Sequence, residues 1–355
     1  ALSNPEIREY KENVLDLKRF NMNTMYKSCG EPGERNENDD LDGSCTGQLT
    51  AASILFIRTM CDMIMESKSL TDYKKSTLLA DIVPDVIILG EVIGHHMEKL
   101  IAIQMELDEL DEDDHRVVEY EAKEDNEVFI CLHLLKLSKV VDMNEEGTRR
   151  HFSNIIHRIL CNPDTHADLV DGAVVALSAS HHSEAGFLLS ISEVLSHVIE
   201  TDNEDHEQDN ENVEDSVPTA PVNPEMKKEQ YLRGIEILSV ALEKTSRKMS
   251  SNAVLQNFAS VILTAITDLS LGPLVREAGV SCFGRYVILM EESTIMSKYK
   301  PILMGIAFSE EEKIEIRAQA TLAICDLAFM FHRIMAPILL ENVSDTEVSL
   351  SDLLY

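Results

Sequence analysis

Tryptophan is absent from this chain of 355 residues, and aromatic residues together make up only 5% of it. Leu, Ile, Val, Ala and Met must therefore form the core, which favours packing of helix against helix over a β-sandwich. No apolar run reaches the roughly 18 to 20 residues that a membrane-spanning helix needs. The sequence also lacks a signal peptide and an initiator methionine, and we expect it to be a piece of a larger protein.

The motifs of the common enzyme and cofactor sites are missing as well. The sequence contains no HExxH, CxxC, GxSxG, GxGxxG or GxxxxGK[ST] pattern, so we expect no enzymatic activity, no cofactor and no small-molecule substrate. Its seven cysteines are an odd number, and five of them lie in apolar helical patterns. This distribution predicts reduced thiols that pack as small apolar residues.

Two patterns bear a superficial likeness to metal sites. The first, third, fifth and sixth positions of an EF-hand loop are matched by Asn38, Asp40, Asp42 and Gly43. Leu49, however, stands where that loop needs a bidentate Glu. Adjacent histidines point to different faces of a helix, so neither His95–His96 nor His181–His182 can easily chelate one ion. We expect these histidines to be solvated and predict no metal site, with a calcium- or metal-regulated module as the alternative.

The charge is strongly negative and unevenly distributed. The net charge is −32, from 63 acidic and 31 basic residues. Residues 29–45, 106–126 and 201–216 together carry 25 acids and 3 bases. Such blocks stay solvated, because like charges repel and little apolar area is available to bury. The three tracts are therefore predicted to be loops, and the chain would bind DNA poorly unless they point away or a basic partner assists.

These tracts divide the predicted helices into segments. We predict a helix within 1–28, an acidic loop at 29–45, helical repeats over 46–200 that contain the acidic loop 106–126, a linker at 201–224 and further repeats over 225–355. The linker is the predicted domain boundary, because its prolines cannot lie inside a helix.

The C-terminal part of the chain repeats itself. Arg276 and Gly279 align with Arg317 and Ala320 at an offset of 41 residues, and a third copy begins at Arg233, 43 residues before Arg276. Two helices per unit at this period are typical of HEAT repeats. The predicted fold is therefore all-α, an α-solenoid of HEAT-type helical hairpins. Such solenoids present extended surfaces to partners.

Each repeat arginine (Arg233, Arg276 and Arg317) is predicted to be structural, pairing with an acid or a helix end of a neighbouring repeat. For the hairpins themselves, we expect residues 225–244 to pair with 252–268. By the same reasoning 275–291 should pair with 297–307, and 314–330 with 332–342. The short turns between these segments suit antiparallel helices.

The remaining basic residues of interest gather in three places. The candidate positions for contacts with nucleic acid or a partner are Lys227, Lys228, Lys244, Arg247, Lys248, Arg149, Arg150, Lys298 and Lys300. A stripe of such residues could bind phosphates. The alternative interpretation is a solvated face whose charges balance nearby acids.

Three segments carry a resemblance to a known family. They read VREAGVSCFGRYVIL at 275–289, IRAQATLAICDLAFMF at 316–331 and LLKLSKVVDMNEEGTRR at 134–150. Each is similar to a recurring element of condensin non-SMC subunit 3, the CAP-G-type HEAT-repeat subunit. The resemblance covers roughly residues 48–335.

The resemblance implies a non-catalytic scaffold that binds the kleisin subunit of condensin and, through it, the SMC ATPase subunits. It also implies a share in anchoring double-stranded DNA during mitotic chromosome condensation. The expected location is the nucleus and chromosomes, and the cytoplasm outside mitosis. Because the N-terminal repeats of the family's DNA groove have no obvious counterpart here, kleisin binding is the stronger expectation. The alternatives are other HEAT-repeat scaffolds: a cohesin regulator, a nuclear transport receptor or a phosphatase scaffold.

Overall fold

The computed structural model describes residues 49–111, 114–199 and 224–332. Helices account for most of these residues and no β-strand occurs among them, which confirms the all-α prediction. The described chain forms two compact units, which divide between His182 and Ser183. The predicted helix within 1–28, the acidic loop 29–45 and the linker up to residue 223 lie outside the described residues.

The first unit stacks its helices in two layers. The helices described in it are α1 (Ala51–Glu66), α2 (Asp72–Ile82), α3 (Val86–Asp108), α4 (Val117–Leu137), α5 (Glu146–Cys161) and α6 (Leu169–Ala179). Helix α3 packs on α4 and α5 packs on α6, which gives two hairpins. Helix α3 also contacts α5, and α4 contacts α6 and α1. Corresponding helices of successive hairpins therefore lie side by side, as in other helical repeats.

Side-chain caps define where several helices begin. The Thr50 hydroxyl accepts the N–H of Ser53 at 3.2 Å, and the Ser53 hydroxyl accepts the N–H of Thr50 at 2.9 Å. This capping box precedes α1. The Asp85 carboxylate accepts the N–H groups of Ile87 and Ile88 at 2.9 and 3.0 Å, which satisfies the first turn of α3.

Most of the segment 106–126, predicted from its charge to be a loop, is helical. The described residues 109–111 and 114–116, between α3 and α4, are not. Lys123 pairs with Glu119 one turn away at 2.9 Å, and Gln104 of α3 donates a hydrogen bond to Glu124 of α4 at 2.9 Å. These contacts, and the favourable position of an acid in the first turn of a helix, offset the repulsion on which the loop prediction relied.

The second unit contains the C-terminal repeats. Its described helices are α7 (Glu184–Ile199), α8 (Pro224–Glu243), α9 (Ala253–Thr267), α10 (Gly272–Leu289), the single turn α11 (Glu292–Thr294), α12 (Lys300–Ala307) and α13 (Ile314–Met330). Short 3₁₀ segments, Arg247–Met249 and Leu269–Leu271, precede α9 and α10, and a π-helical segment, Ile295–Tyr299, connects α11 to α12. No single described helix is long and apolar enough to cross a membrane, although α9 and Leu269–Leu289 pass that test as a bent pair.

Two of the three predicted hairpins of this unit are wrong, because the first helix of each pairs with an earlier neighbour. The predicted partner of 314–330, residues 332–342, lies outside the described residues except for residue 332. Helix α8 packs mainly on α7 and α10, α9 packs on α10, and α12 packs on α13. Helices α8, α10 and α13 form one continuous row. The compact units divide before α7, so the predicted boundary at 201–224 falls between two helices of one hairpin. Turn lengths alone could not show this, because the long segment 200–223 joins two helices that pair, whereas the short turn between α8 and α9 joins two helices that contact each other little.

Three glycines explain which helices pair. A Cβ atom added to Gly234 of α8 would lie 2.6 Å from Ile199 of α7, and one added to Gly279 of α10 would lie 3.1 Å from Ala265 of α9. A Cβ on Gly284 of α10 would lie 2.7 Å from the Cβ of Ala323 in α13. Gly279 and Gly284 therefore mark close approaches of two helix backbones, and Gly234 leaves room for the Ile199 side chain.

Three aromatic residues of the second unit meet where α10 packs on the π-helical segment. The rings of Phe283 and Tyr286 lie edge-on to Tyr299, with centroid separations of 5.5 and 5.7 Å. All three residues are buried. Burial also raises the pKa of Tyr286 above its ordinary value. Most of the other buried side chains of this unit are aliphatic, as the composition predicts.

Substitution of Gly284 tests the row of helices. We expect Gly284→Ala to lower the free energy of unfolding by about 1–2 kcal/mol, because the new methyl group meets a short side chain that cannot move aside. Gly305→Ala is the matched control: nothing lies within 4 Å of its Cβ position in α12. This control should raise stability by about 0.5–1 kcal/mol through helix propensity. Urea unfolding measures both, and equal stabilisation by the two changes would contradict the close packing.

Candidate partner-binding surface

One of the predicted basic positions, Lys298, lines a cavity of the second unit, and another, Arg247, contacts a residue of its wall. The cavity has a volume of about 330 Å³ and lies where the turn after α8 faces the segment between α10 and α12. Lys298 and Met290 are among the residues that line it. Arg247 donates to the Met290 carbonyl oxygen at 3.3 Å, and its guanidinium carbon lies 4.6 Å from the Phe331 ring centroid. Arg247 thus supports the cavity, and Lys248 beside it is exposed.

The two lysines at the start of α8 lie far from this cavity. Lys227 and Lys228 are in the first turn of the helix, and Lys244 follows its last residue. The 20 residues of α8 separate these ends by about 30 Å. Lys228 pairs with Glu225 at 2.7 Å. Hydrogen bonds from Ser270 and the charge of Lys227 hold the pKa of the Asp268 carboxyl below its usual value.

The remaining candidates have separate environments. In the first unit, Arg149 donates to the Met143 carbonyl oxygen at 3.1 Å, and Arg150 forms an ion pair with Glu146 one turn earlier. In the second unit, Lys300 begins α12 and is half-buried. The nine basic positions therefore lie on several different elements, and their predicted role in binding stays a prediction.

Two of the three repeat arginines contact neighbouring elements of the second unit. Arg276 of α10 forms an ion pair with Glu312, which lies in the turn between α12 and α13. Arg317 of α13 donates to the Ala307 carbonyl oxygen at the end of α12, at 3.2 Å. Burial lowers the pKa of the Arg233 guanidinium, against the opposing charge of a nearby carboxylate.

A fourth arginine, which the sequence reasoning missed, connects the same row of helices. Arg285 of α10 donates to the Ser239 hydroxyl and pairs with Glu243 at 3.1 Å, both on α8. The signal was a lone charge in the apolar run CFGRYVIL. The period could not reveal it, because the residue 41 positions later is Asp326.

Four large apolar side chains lie exposed along the turns of the last two hairpins, and we call them the turn ridge. They are Leu269, Leu274, Phe308 and Ile314, with 75, 69, 54 and 73% of their surface exposed. The ion pair between Arg276 and Glu312 joins the first turns of α10 to the turn between α12 and α13. Exposed apolar patches of this kind mark binding surfaces. Sequence reasoning missed the ridge, because an apolar residue at a helix end looks like core until its exposure is known.

A buried carboxylate holds two helices of the first unit together. Glu127 of α4 is only 2% exposed. Its Oε2 lies 2.7 Å from Nδ1 of His96 on α3, and its Oε1 accepts from Lys99 of the same helix. Burial opposes ionisation of the carboxyl, but the two hydrogen bonds together outweigh burial, so the pKa of Glu127 lies below its usual value. His96 is thus buried and bonded, contrary to the expectation that it is solvated.

The cysteines described in the structure have no disulfide partner. Burial raises the pKa values of Cys61, Cys131 and Cys282 to about 12, so these thiols remain protonated and unreactive at neutral pH. In the described ranges, no group of three or more His, Cys, Asp or Glu residues could hold a metal ion. The EF-hand-like residues 38–43 lie outside those ranges.

Acidification should weaken the contact between α3 and α4. The pKa of Glu127 is lower in the folded chain than in the unfolded chain, where it is near 4.5. The ionised carboxylate therefore stabilises the fold above pH 4.5, and this stabilisation is lost as the pH falls through the pKa of the folded chain. At pH 7, Glu127→Gln should lower the free energy of unfolding by about 1–3 kcal/mol. The difference from the unmodified chain should shrink below pH 4.5.

Urea unfolding across a pH series measures this difference. Glu98→Gln is the matched control, because Glu98 is an exposed residue of α3. It should change stability by less than about 0.5 kcal/mol at every pH. A constant difference between Glu127→Gln and the unmodified chain from pH 7 to pH 3 would contradict the proposed role of the ionised carboxylate.

Comparison with known proteins identifies a structural relative. No protein-family model and no curated sequence matches the chain. The crystal structure of the S. pombe condensin Cnd3-Cnd2 subcomplex contains a chain of similar fold, with a TM-score of 0.59 and 17% sequence identity. The match covers 91% of this chain and 33% of that chain, so the protein described here spans about a third of its relative's length. At this identity the likeness shows that the chain has the helical-repeat fold of this condensin structure.

Proposed function

We propose that the chain belongs to a non-catalytic HEAT-repeat scaffold subunit of condensin, of the CAP-G type. In this proposal it binds the kleisin subunit, reaches the SMC ATPase subunits through the kleisin, and helps to anchor double-stranded DNA in mitotic chromosome condensation. The observation that carries the proposal is the fold likeness to the condensin subcomplex over 91% of the chain. The proposed location is the nucleus and chromosomes, and the cytoplasm outside mitosis.

The family-like segments support the proposal by their position in the fold. The segments at 275–289 and 316–331 form α10 and α13, which are adjacent in the row of helices. The segment at 134–150 contains the end of α4 and the start of α5. The resemblance therefore falls on residues that build the repeat stack, which is where a shared fold constrains sequence.

We assign kleisin contact to the turn ridge. The structural relative was solved as a complex of two subunits, and the ridge offers the exposed apolar area that a partner segment can bury. The exposed acids Glu310, Glu311 and Glu315 lie around Ile314 at one end of it. A complementary segment would therefore carry basic residues beside its apolar ones.

Substitutions in the ridge test this assignment. Leu274→Glu with Ile314→Glu should weaken binding of a condensin kleisin by about tenfold or more, because a carboxylate would be desolvated at each contact. Leu322→Glu is the matched control, since Leu322 is a 58% exposed residue of α13 about 12 Å along the helix from Ile314. Calorimetry with the purified kleisin measures the affinities.

Two results would overturn parts of this proposal. Equal weakening by the control would remove the ridge from the interface. Co-purification with a Ran-type GTPase or a phosphatase, and not with kleisin and SMC chains, would replace condensin by another HEAT-repeat scaffold.

Direct DNA binding should depend on the kleisin. With a net charge of −32, the chain alone should not bind a 30-base-pair duplex measurably at about 150 mM salt. With the kleisin present, affinity should appear and fall as salt is raised, because bound phosphates release counterions. Fluorescence anisotropy across a salt series measures both cases. Tight, salt-dependent binding by the chain alone would show that its own lysines and arginines suffice.

A further inference from the structure

One turn of the second unit places a serine between two sources of positive charge. The sequence Arg247-Lys248-Met249-Ser250-Ser251 connects α8 to α9, and its first three residues form a 3₁₀ turn. Ser251 is exposed and Ser250 is half-buried. Ser260 and Ser270 of the same unit donate their hydroxyls to Asn257 and Asp268 at 2.7 and 2.6 Å. Within the described residues the Ser251 hydroxyl makes no such bond, and it is accessible for chemistry.

The two basic residues before the serines differ in what the fold requires of them. Arg247 is held by the Met290 carbonyl oxygen and the Phe331 ring. Lys248, three residues before Ser251, is exposed. Charge patterns around the target hydroxyl are a main basis of kinase specificity. A kinase with an acidic substrate cleft can therefore bind Lys248 without breaking the contacts of Arg247.

The cavity beside Ser251 suits the product of phosphorylation. Ser251 lines it together with Lys298, Thr294 and Gln256. A phosphoserine carries a charge of about −1.5 to −2 at pH 7 and three acceptor oxygens, which the Lys298 ammonium and neutral donors can bond. The carboxylate of Glu291 lines the same cavity and opposes the added charge, while Lys298 and the nearby Lys248 favour it.

We propose that Ser251 is a phosphorylation site for a protein kinase that selects basic residues before its target, and that Lys298 holds the phosphoserine. In the reaction the Ser251 Oγ attacks the γ-phosphorus of ATP. The Oγ–P bond forms, the bond from that phosphorus to the β-phosphate oxygen breaks, the hydroxyl proton passes to the kinase's catalytic carboxylate, and ADP leaves. The phosphoserine would connect the turn after α8 to the π-helical segment. This proposal does not depend on membership of condensin.

Site mapping tests the first half of the proposal. The chain is incubated with ATP and a protein kinase that selects a basic residue three positions before its target, and modified peptides are identified by mass spectrometry. We expect phosphate at Ser251, its loss in Ser251→Ala, and a rate reduced about tenfold in Lys248→Ala. Lys244→Ala is the matched control and should keep the rate. Modification of Ser250 in place of Ser251, or none in this turn, would overturn the assignment.

Phosphorus NMR tests the role of Lys298. The second pKa of phosphoserine is about 6, and a cation at contact distance should lower it by about one unit. In phosphorylated Lys298→Met the value should return to that of a phosphorylated peptide spanning 244–256. Lys300→Met is the control, because Lys300 is two residues away and does not line the cavity. The same titration curve for the unmodified chain and for Lys298→Met would remove Lys298 from the site.

Discussion

The second unit depends on the close packing of α10 between its neighbours. At Gly279 and Gly284 there is no room for a Cβ atom without displacement of Ala265 or Ala323. Dispersion forces fall steeply with separation, so helices in such close contact gain packing energy that larger residues would forfeit. Arg285 and Arg276 then connect α10 to α8 on one side and to the turn before α13 on the other. The turn ridge and the cavity both lie on elements held by this packing.

The sequence predicts the fold class well, because helical periodicity and a repeat of 41 to 43 residues are properties of the chain itself. The sequence does not predict which neighbour each helix packs against. Every helix has a short connection to at least one neighbour, and the shapes of the helix surfaces decide which neighbours pack together. Gly234 was present in the repeat pattern, but its closeness to Ile199 across 24 undescribed residues is a property of the folded unit only.

Charge was the least reliable guide to structure and to sites. The loop prediction for 106–126 rested on the number of acids alone. A helix places these acids on different faces, and Gln104 and Lys123 contact two of them. Glu127, one residue beyond that tract, is the buried member of an ionic cluster. Among the predicted basic positions, Arg247 donates to Met290, which lines the same cavity as Lys298, 51 positions after Arg247 in the sequence, and only the fold could reveal this. Arg149 and Arg150 make their contacts at the start of their own helix, α5.

The pairing of the helices also determines where the chain can vary in length. Helices α7 and α8 are held by their own contact at Gly234, so the 200–223 connection does not set their register. Each doubling of a flexible connection adds only about 0.6 kcal/mol of closure entropy, whereas a single residue inserted within α10 would rotate all later side chains by about 100°. Insertions and deletions in related chains should therefore accumulate between α7 and α8, with α10 constant in length.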